Sequence, residues 1–436
     1  MFQADPHKLD RTLAGYAEQR RRFTRALQIG NAEEHAFENL PRALNLELLE
    51  ELESAKVVDP FAAGAEAWAR ELLLSHAVSG AEQRLSQAFA VELHDVDRPE
   101  RGRFSVRQLR ERALADGARR DGWLQTLAGC ALGVRNRRAQ LWEAEAEHSE
   151  RLRATPARFG AAPEAELALS RQLLDSTSDA YREFQLESLT ALIAQGLGRD
   201  VAADFPTRLG AQQLGALFYE GDWLRGLTPA FSGFEPVLGA ASLSRALWNF
   251  GSAWHEAAAD PKRPFVLRQS PRGYRQAMFA AMFALLPLTP AFLQRRLGVS
   301  RGRLPEAARA LSRVYLLGAR ALSLSAELSV ASLRGARAHS DAFAEFSERA
   351  FGFELPAELR GVLWERRHAL THGSALFEAA LRHAELREEH DDDWFRNPRV
   401  IEELRAEALT PAALGPDMDR LQRGLATFVS LLNEGF

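Results

Sequence analysis

Apolar residues recur at helical spacing along almost the whole chain, and the runs of β-branched residues that are typical of strands are missing. The C-terminal segment shows the pattern plainly, because Met418, Leu421, Leu425, Phe428 and Leu432 follow one another at steps of three and four. We find no repeat of fixed period, which disfavours a regular solenoid. The pattern predicts an all-α, multi-helix architecture.

Capping signals predict where several helices begin. Asp5-Pro6 and Asp59-Pro60 each combine an N-cap residue with proline at the first helical position. Ser105 and Gln108 have the spacing of a capping box. Together with the apolar periodicity, these signals predict helices over 6–29, 39–55, 60–78, 80–93, 106–116, 118–153, 163–196, 238–259, 305–338, 340–351 and 357–390.

The segment RATPARFGAAPEA, residues 153–165, is the clearest interior linker, because it is rich in proline, glycine and alanine. It predicts two domains, an N-terminal helical domain over 1–155 and a C-terminal helical domain over 163–436. The apolar run 277–288 is too short to span a bilayer and is interrupted by Pro287, so a buried core helix is favoured over a membrane segment.

Composition favours a cellular compartment but does not indicate which ligand the protein binds. The 436 residues carry a formal net charge of −4, and Cys130 is the only cysteine, so no intrachain disulfide can form. The N-terminal residues lack the apolar region of a signal peptide, and a cytoplasmic protein is expected. No Walker loop, dinucleotide-binding glycine motif or nucleophile elbow occurs.

Basic and acidic residues are unevenly distributed. Residues 261–340 contain fourteen Arg or Lys and two acids, whereas 376–407 contain ten acids and five Arg. One interpretation is that these segments pair within the chain. The other is an anion-binding or nucleic-acid-binding face, centred on Arg268, Arg272, Arg275, Arg295 and Arg296. The absence of aromatic residues interleaved with the arginines favours pairing.

His255-Glu256 is the first candidate for chemistry. A zincin helix reads H-E-x-x-H, because two histidines at i and i+4 share one face and bind Zn²⁺, while the glutamate acts on the metal-bound water. Here the i+4 position is Ala259, and no acid lies between Asp260 and Glu306 that could supply a third ligand. The sequence therefore argues against a complete zincin site.

A second candidate is the run WERRHALTHG. Glu365, His368 and His372 have the spacing i, i+3, i+7, which predicts one helical stripe on which the two histidines could chelate a metal. The alternative is a pair of histidines hydrogen-bonded near a helix end. The acidic run EEHDDD, residues 388–393, is interpreted as a solvated turn with capped helix ends.

Three phrases resemble the M3-like helical zinc peptidases of the thimet oligopeptidase and oligoendopeptidase F type. They are VRNRRAQLW at 134–142, LLDSTSDAYREF at 173–184 and FGSAWHEAAAD at 250–260. The resemblance implies a zincin-like helical architecture with a central cleft, in which His255 is the metal ligand and Glu256 the general base. Tyr274 and His372 would correspond to substrate-contacting loops. The chain departs from the pattern at Ala259 and in the missing third ligand.

The resulting hypothesis is a non-catalytic protein that binds a peptide or protein in a remnant cleft, without a cofactor. Its candidate ligand-binding residues are Arg268, Arg272, Tyr274 and Arg275. One alternative is a metal-dependent peptidase or hydrolase, in which Glu256 acts beside a zinc ion bound by His255, His368 and His372. The other is an anion- or nucleic-acid-binding helical scaffold using 261–340, with nucleic acid the disfavoured partner. The sequence predicts no oligomeric state.

Overall fold

The computed structural model describes residues 5–29, 40, 44–93, 104–153, 162–198, 211–218, 222–231, 239–364, 366, 368–410 and 416–434. The helices in these ranges are α1 (Pro6–Ile29), α2 (Leu46–Ala55), α3 (Pro60–Ala90), α4 (Val106–Ala115), α5 (Arg120–Cys130), α6 (Leu132–Arg151), α7 (Pro163–Ser176), α8 (Ser178–Arg182), α9 (Leu189–Leu197), α10 (Ala211–Leu217), α11 (Ala240–Ala258), α12 (Phe265–Arg268), α13 (Tyr274–Leu285), α14 (Pro290–Arg296), α15 (Leu304–Ser332), α16 (Ala336–Phe351), α17 (Ala369–His390), α18 (Pro398–Ala408) and α19 (Met418–Asn433). One short antiparallel pair, Glu92–Leu93 with Phe104–Ser105, accompanies them. The predicted all-α, multi-helix architecture is confirmed.

The helix starts follow the capping signals of the sequence. The Asp59 side chain accepts a hydrogen bond from the Phe61 amide at 2.9 Å, and Ser105 and Gln108 form both bonds of a capping box. These bonds satisfy amide groups that have no partner within the helix. Because such signals depend only on neighbouring residues, they could be identified before the tertiary contacts were known.

Several predicted helix lengths are wrong. The segments 60–78 and 80–90 belong to one helix, α3, which runs through Gly80, and residues 92–93 at the end of the second predicted helix form a strand instead. The helix predicted over 118–153 is broken at Ala131, and that over 163–196 is broken at Thr177 and again before Leu189. At the Thr177 break, the hydroxyl donates to the Leu173 carbonyl and accepts from Arg320, so a tertiary contact helps to fix the break.

The predicted stripe of Glu365, His368 and His372 is also wrong. The helix α17 begins at Ala369, and His368 precedes it with a left-handed backbone, φ 63°. His368 is therefore the N-cap of α17 rather than a residue within it, although its carbonyl still accepts a hydrogen bond from the His372 amide at 2.9 Å. Glu365 lies outside the described residues.

Among the described residues, apolar side chains form one large core, one smaller core and a third group of six buried residues, which are Leu167, Leu322, Ala326, Val330, Ala369 and Leu370. The large core draws on residues between Leu74 and Leu152 and between Leu169 and Leu432. The smaller core joins α1, α2, the first half of α3 and the short helix α12. The predicted domain boundary between 155 and 163 lies largely in 154–161, outside the described residues.

The helices α11 and α13 pack closely at the centre of the large core. A Cβ atom at Gly251 would come within 2.8 Å of the Phe279 carbonyl oxygen and 2.7 Å of the Phe283 ring, so only glycine fits this crossing. Residues 277–285 of α13 are all buried. Among the described helices, α15 alone is long and apolar enough to cross a membrane. The pair α13 and α14 would also qualify if taken together, but the two are bent by 80° relative to each other. In α15, 89% of the most apolar 18-residue stretch is buried inside the protein.

Candidate binding cleft

A cleft of about 280 Å³ opens where α1, α3, α11 and the link before α13 meet the start of α17. Its cationic and imidazole side chains come from several parts of the chain. They are Arg21, Arg268, Arg272, Arg275, His255, His368 and His372. Of the described residues, one carboxylate, that of Glu256, and two tryptophans, Trp68 and Trp248, also line the cleft.

One face of α11 forms a wall of the cleft. Trp248, Ser252, His255 and Glu256 line it, and their steps of four, three and one place them on the same side of the helix. The opposite side of α11 carries Phe250 and Trp254, which are fully buried. The amphipathic pattern of this helix thus determines which residues face the cleft.

The link between α12 and α13 forms a second wall, and hydrogen bonds hold it against the N-terminal helices. Asp10 accepts from the amides of Phe265 and Val266 at 2.9 and 3.1 Å, which caps the start of α12. The Trp68 indole donates to the Gln269 carbonyl at 2.8 Å. Arg268, at the end of α12, is therefore positioned by contacts from distant parts of the chain.

Glu256 is held by two partners at the rim of the cleft. Arg21 Nη1 donates to its Oε1 at 2.9 Å, and Gln269 Nε2 donates to the same oxygen at 3.2 Å. Arg21 Nη2 also donates to Gln269 Oε1 at 2.6 Å, so the three side chains form a closed ring. Two donors thus occupy the Oε1 atom of Glu256, which disfavours Glu256 as a general base in this arrangement.

His255 is a neutral group inside the wall of the cleft. Only 5% of the residue is exposed. Burial, with a smaller contribution from Arg275, lowers its pKa to about 4. Among the described residues its buried Nε2 has no hydrogen-bond partner. A neutral imidazole with an unused nitrogen can donate to, or accept from, a ligand.

The other two histidines reach the cleft from the start of α17. The rings of His368 and His372 are 6.2 Å apart, and the His372 ring lies 4.9 Å from Trp248. Burial among neighbouring groups, with Arg366 nearby, lowers the pKa of His372 to about 4. The structure thus brings all three candidate histidines to one cleft, His255 from α11 and the other two from the start of α17.

The three histidines do not present the ligand geometry of a zinc site. Ligand nitrogens about 2.0–2.1 Å from one ion cannot lie more than about 4.2 Å apart. Within the described residues, no three ligand atoms drawn from His255, Glu256, His368 and His372 lie within 4.8 Å of one another. The residues present therefore do not fit zinc bound by three ligands in this cleft.

The arginines of the cleft are partly removed from water. Burial lowers the pKa of Arg272 and of Arg275, although nearby carboxylates partly offset the effect. Arg275 lies 3.8 Å from Glu407, and Arg268 Nε donates to the Arg263 carbonyl at 3.0 Å. A guanidinium in partly dehydrated surroundings interacts more strongly with an anion than one in bulk water.

Tyr274 does not line the cleft. It is 7% exposed, and its hydroxyl donates to Glu378. Burial and the Glu378 carboxylate raise the pKa of Tyr274 well above its usual value. In this structure the side chain joins α13 to α17 rather than facing a ligand.

Several arginines of 261–340 outside the cleft pair within the chain. Arg295 lies 3.5 Å from Asp393, and Arg334 lies 3.3 Å from Glu164. Arg296 lies over the ring of Phe395 at 5.7 Å. These contacts support the pairing interpretation for this part of the Arg-rich region and leave the cleft as its candidate anion site.

Sequence reasoning missed Arg21, Trp68, Trp248 and Gln269. Arg21 and Trp68 reach the cleft from α1 and α3, and they lie 248 and 201 residues away in sequence from their partner Gln269. No local pattern distinguishes them from other residues of those helices. Trp248 could have been found, because it lies seven residues before His255 and so on the same helical face.

No protein-family model matches the sequence, and no curated protein matches it. Two similar solved structures are peptidases. The first is oligoendopeptidase-F from Enterococcus faecium, with a TM-score of 0.43, 13% identity and 99% coverage of both chains. The second is PZ peptidase A with an inhibitor, with a TM-score of 0.42, 10% identity, and coverage of 99% of this chain and 98% of that one. The structural resemblance to this type of peptidase is weak.

Proposed function

We propose that the protein binds an anionic peptide segment in the cleft and does not cleave it. The observation that carries this proposal is the charge of the cleft. Among the described residues four arginines line it, Arg275 is paired with Glu407, and the one lining carboxylate, Glu256, is already bound by Arg21. An anionic ligand would complement the remaining positive charge.

The shape and the aromatic residues of the cleft favour a peptide over a nucleic acid. The cavity is a concave pocket with Trp68 and Trp248 in its walls, the combination of apolar surface and a few polar groups found in ligand sites. A nucleic acid needs a longer basic surface to contact successive phosphates. Arginines outside the cleft, such as Arg295, are instead paired with acids.

Arg272 and His255 are the residues expected to contact the anion. The partly buried Arg272 guanidinium supplies charge. The neutral His255 Nε2 has no partner in the described residues, but it is buried, so a contact with it requires the side chains around it to move. Charge-assisted hydrogen bonds contribute about 1.5–3 kcal/mol each. Losing one such bond corresponds to about a 10- to 150-fold loss of affinity.

The test is a tryptophan-fluorescence titration with a short glutamate-rich peptide and with its glutamine counterpart. We expect the glutamate peptide to bind, the glutamine peptide to bind at least tenfold more weakly, and Arg272→Gln or Arg268→Gln to weaken binding of the glutamate peptide by about tenfold or more. Arg301→Gln is the matched control, because Arg301 is an exposed arginine of the same region outside the cleft.

Three results would overturn the proposal. One is equal affinity for the two peptides. Another is equal weakening by Arg272→Gln and Arg301→Gln, since that would indicate a general charge effect rather than a site. The third is tighter binding of single-stranded DNA than of the glutamate peptide, which would assign the cleft to nucleic acid instead.

The second candidate function is a metal-dependent hydrolase. The observation in its favour is that His255, His368 and His372 line one cleft together with Glu256. It requires the side chains to move until their nitrogens converge on one ion. Metal analysis after purification, combined with a peptide-cleavage assay with and without chelator, distinguishes the two. Stoichiometric zinc that His255→Ala removes, with cleavage abolished by the chelator, would establish the hydrolase.

A further inference from the structure

A second cluster of metal-ligating side chains lies away from the cleft, where α17 ends and α18 passes beside it. It consists of Glu389, His390 and Glu403, whose ligand atoms all lie within 4.8 Å of one another. His390 is the last residue of α17, and Glu403 lies in the middle of α18. This is the one group of three or more such side chains within the described residues.

The distances within the cluster suit a bridging ion better than direct hydrogen bonds. His390 Nε2 is 3.7 Å from Glu389 Oε2 and 3.6 Å from Glu403 Oε2. Both distances exceed hydrogen-bonding range, and the buried Nε2 atom has no hydrogen-bond partner among the described residues. Ligand atoms held at about 2.1 Å from one tetrahedral ion lie about 3.4 Å apart, close to the observed spacing.

Glu403 is oriented by a neighbouring guanidinium. Arg382 donates to its Oε1 atom, which leaves Oε2 directed towards His390. Carboxylates that bind metals are commonly held in this way, with one oxygen fixed by a second group. Arg382 is itself balanced by Glu385 and Glu407, at 3.6 and 3.4 Å.

The local electrostatics favour a cation. Two carboxylates face one imidazole, and the carbonyl end of α17, at which His390 lies, carries partial negative charge. Arg382 is shared among Glu385, Glu403 and Glu407, and Arg420 and Arg275 also pair with two of these acids, so the attraction for a cation comes from Glu389, Glu403 and the end of α17.

We propose that Glu389, His390 and Glu403 form a surface site for a divalent transition metal such as Zn²⁺. One imidazole and two carboxylates match the nitrogen and oxygen ligands that zinc accepts, and a fourth position stays open to water or to a donor from another molecule. The site is separate from the cleft and does not depend on the function proposed for it.

The experiment is isothermal titration of chelator-treated full-length protein with Zn²⁺ alone. We expect one zinc per chain, with affinity lowered at least tenfold by His390→Ala and by Glu403→Gln. His7→Ala, which removes an exposed histidine of α1, is the matched control and should bind like the unchanged protein. His372→Asn tests whether the cleft histidines are responsible.

Each outcome decides the proposal. Binding that is lost in both His390→Ala and Glu403→Gln, and kept in His7→Ala and His372→Asn, supports the site. Absence of zinc binding, or binding unchanged in His390→Ala, overturns it. Binding lost in His372→Asn would also overturn it, and would place the metal in the cleft. Circular dichroism of each variant confirms that the helices are intact.

Discussion

The buried residue His383 allows a quantitative test of how protein stability depends on pH. It lies in α17, is 1% exposed, and its Nε2 atom is 3.1 Å from the Thr289 hydroxyl. Burial lowers its pKa to about 3, with a further lowering by Arg387 and an opposing effect of Asp392. The folded protein therefore keeps this imidazole neutral at pH 5, whereas the unfolded chain protonates it near its ordinary pKa of about 6.5.

The sign and size of the effect follow from that difference. Between pH 7 and pH 5 the unfolded state binds a proton that the folded state does not bind, so stability decreases as pH falls, and continues to decrease towards pH 3. For one histidine that is neutral in the folded state, the loss between pH 7 and pH 5 is about 2 kcal/mol. His383→Gln removes the titrating group and should reduce the pH-dependent loss by that amount.

The assay is urea unfolding at pH 7 and pH 5, with the free energy of unfolding compared between the original protein and His383→Gln. His7→Gln, at an exposed position, is the matched control for the loss of one imidazole. An NMR titration of the His383 ring gives an independent readout and should show no protonation above pH 5. A ring that titrates near 6.5 in the folded protein, or an unchanged pH dependence in His383→Gln, would refute the reasoning.

Two further predictions concern packing. Gly251→Ala places a methyl group 2.8 Å from a backbone carbonyl and should destabilise the protein by about 1–3 kcal/mol, whereas Gly129→Ala, which meets nothing within 4 Å, should be neutral or stabilising in thermal unfolding. Arg320 is 2% exposed and donates to the carbonyls of Ala350 and Leu174, so Arg320→Lys should leave buried acceptors unpaired and cost about 2–6 kcal/mol in urea unfolding. Equal stability of the two glycine variants, or an effect of Arg320→Lys below about 0.5 kcal/mol, would contradict these accounts.

The sequence was sufficient for the fold class and for many helix starts. The Asp59 cap and the Ser105–Gln108 capping box act over three residues, so they can be recognised without tertiary structure. Helix breaks were not predictable in the same way. The break at Thr177 is bonded to Arg320, which lies 143 residues further along the chain. Trp364 lies within the helix predicted over 357–390 but is not helical in the structure. Its carbonyl accepts a hydrogen bond from the Ser325 hydroxyl, a contact that no local pattern predicts.

The candidate site was predictable only in part. His255, Arg268, Arg272 and Arg275 come from one segment of about 20 residues, and the chain reversal between α11 and α13 brings them together. Arg21 belongs to α1, and no local pattern shows that it would bind Glu256 across 235 residues of sequence. Only the structure therefore shows that the Glu256 carboxylate is already bound, which disfavours it as a general base.

The central claim is that the cleft binds an anionic peptide and leaves it intact. Its most direct test is calorimetric titration of chelator-treated protein with the glutamate-rich peptide, followed by mass spectrometry of the same sample after Zn²⁺ is added. The account predicts saturable binding and recovery of the whole peptide under both conditions. Absence of saturable binding, or peptide fragments that form with zinc and disappear with the chelator, would contradict it.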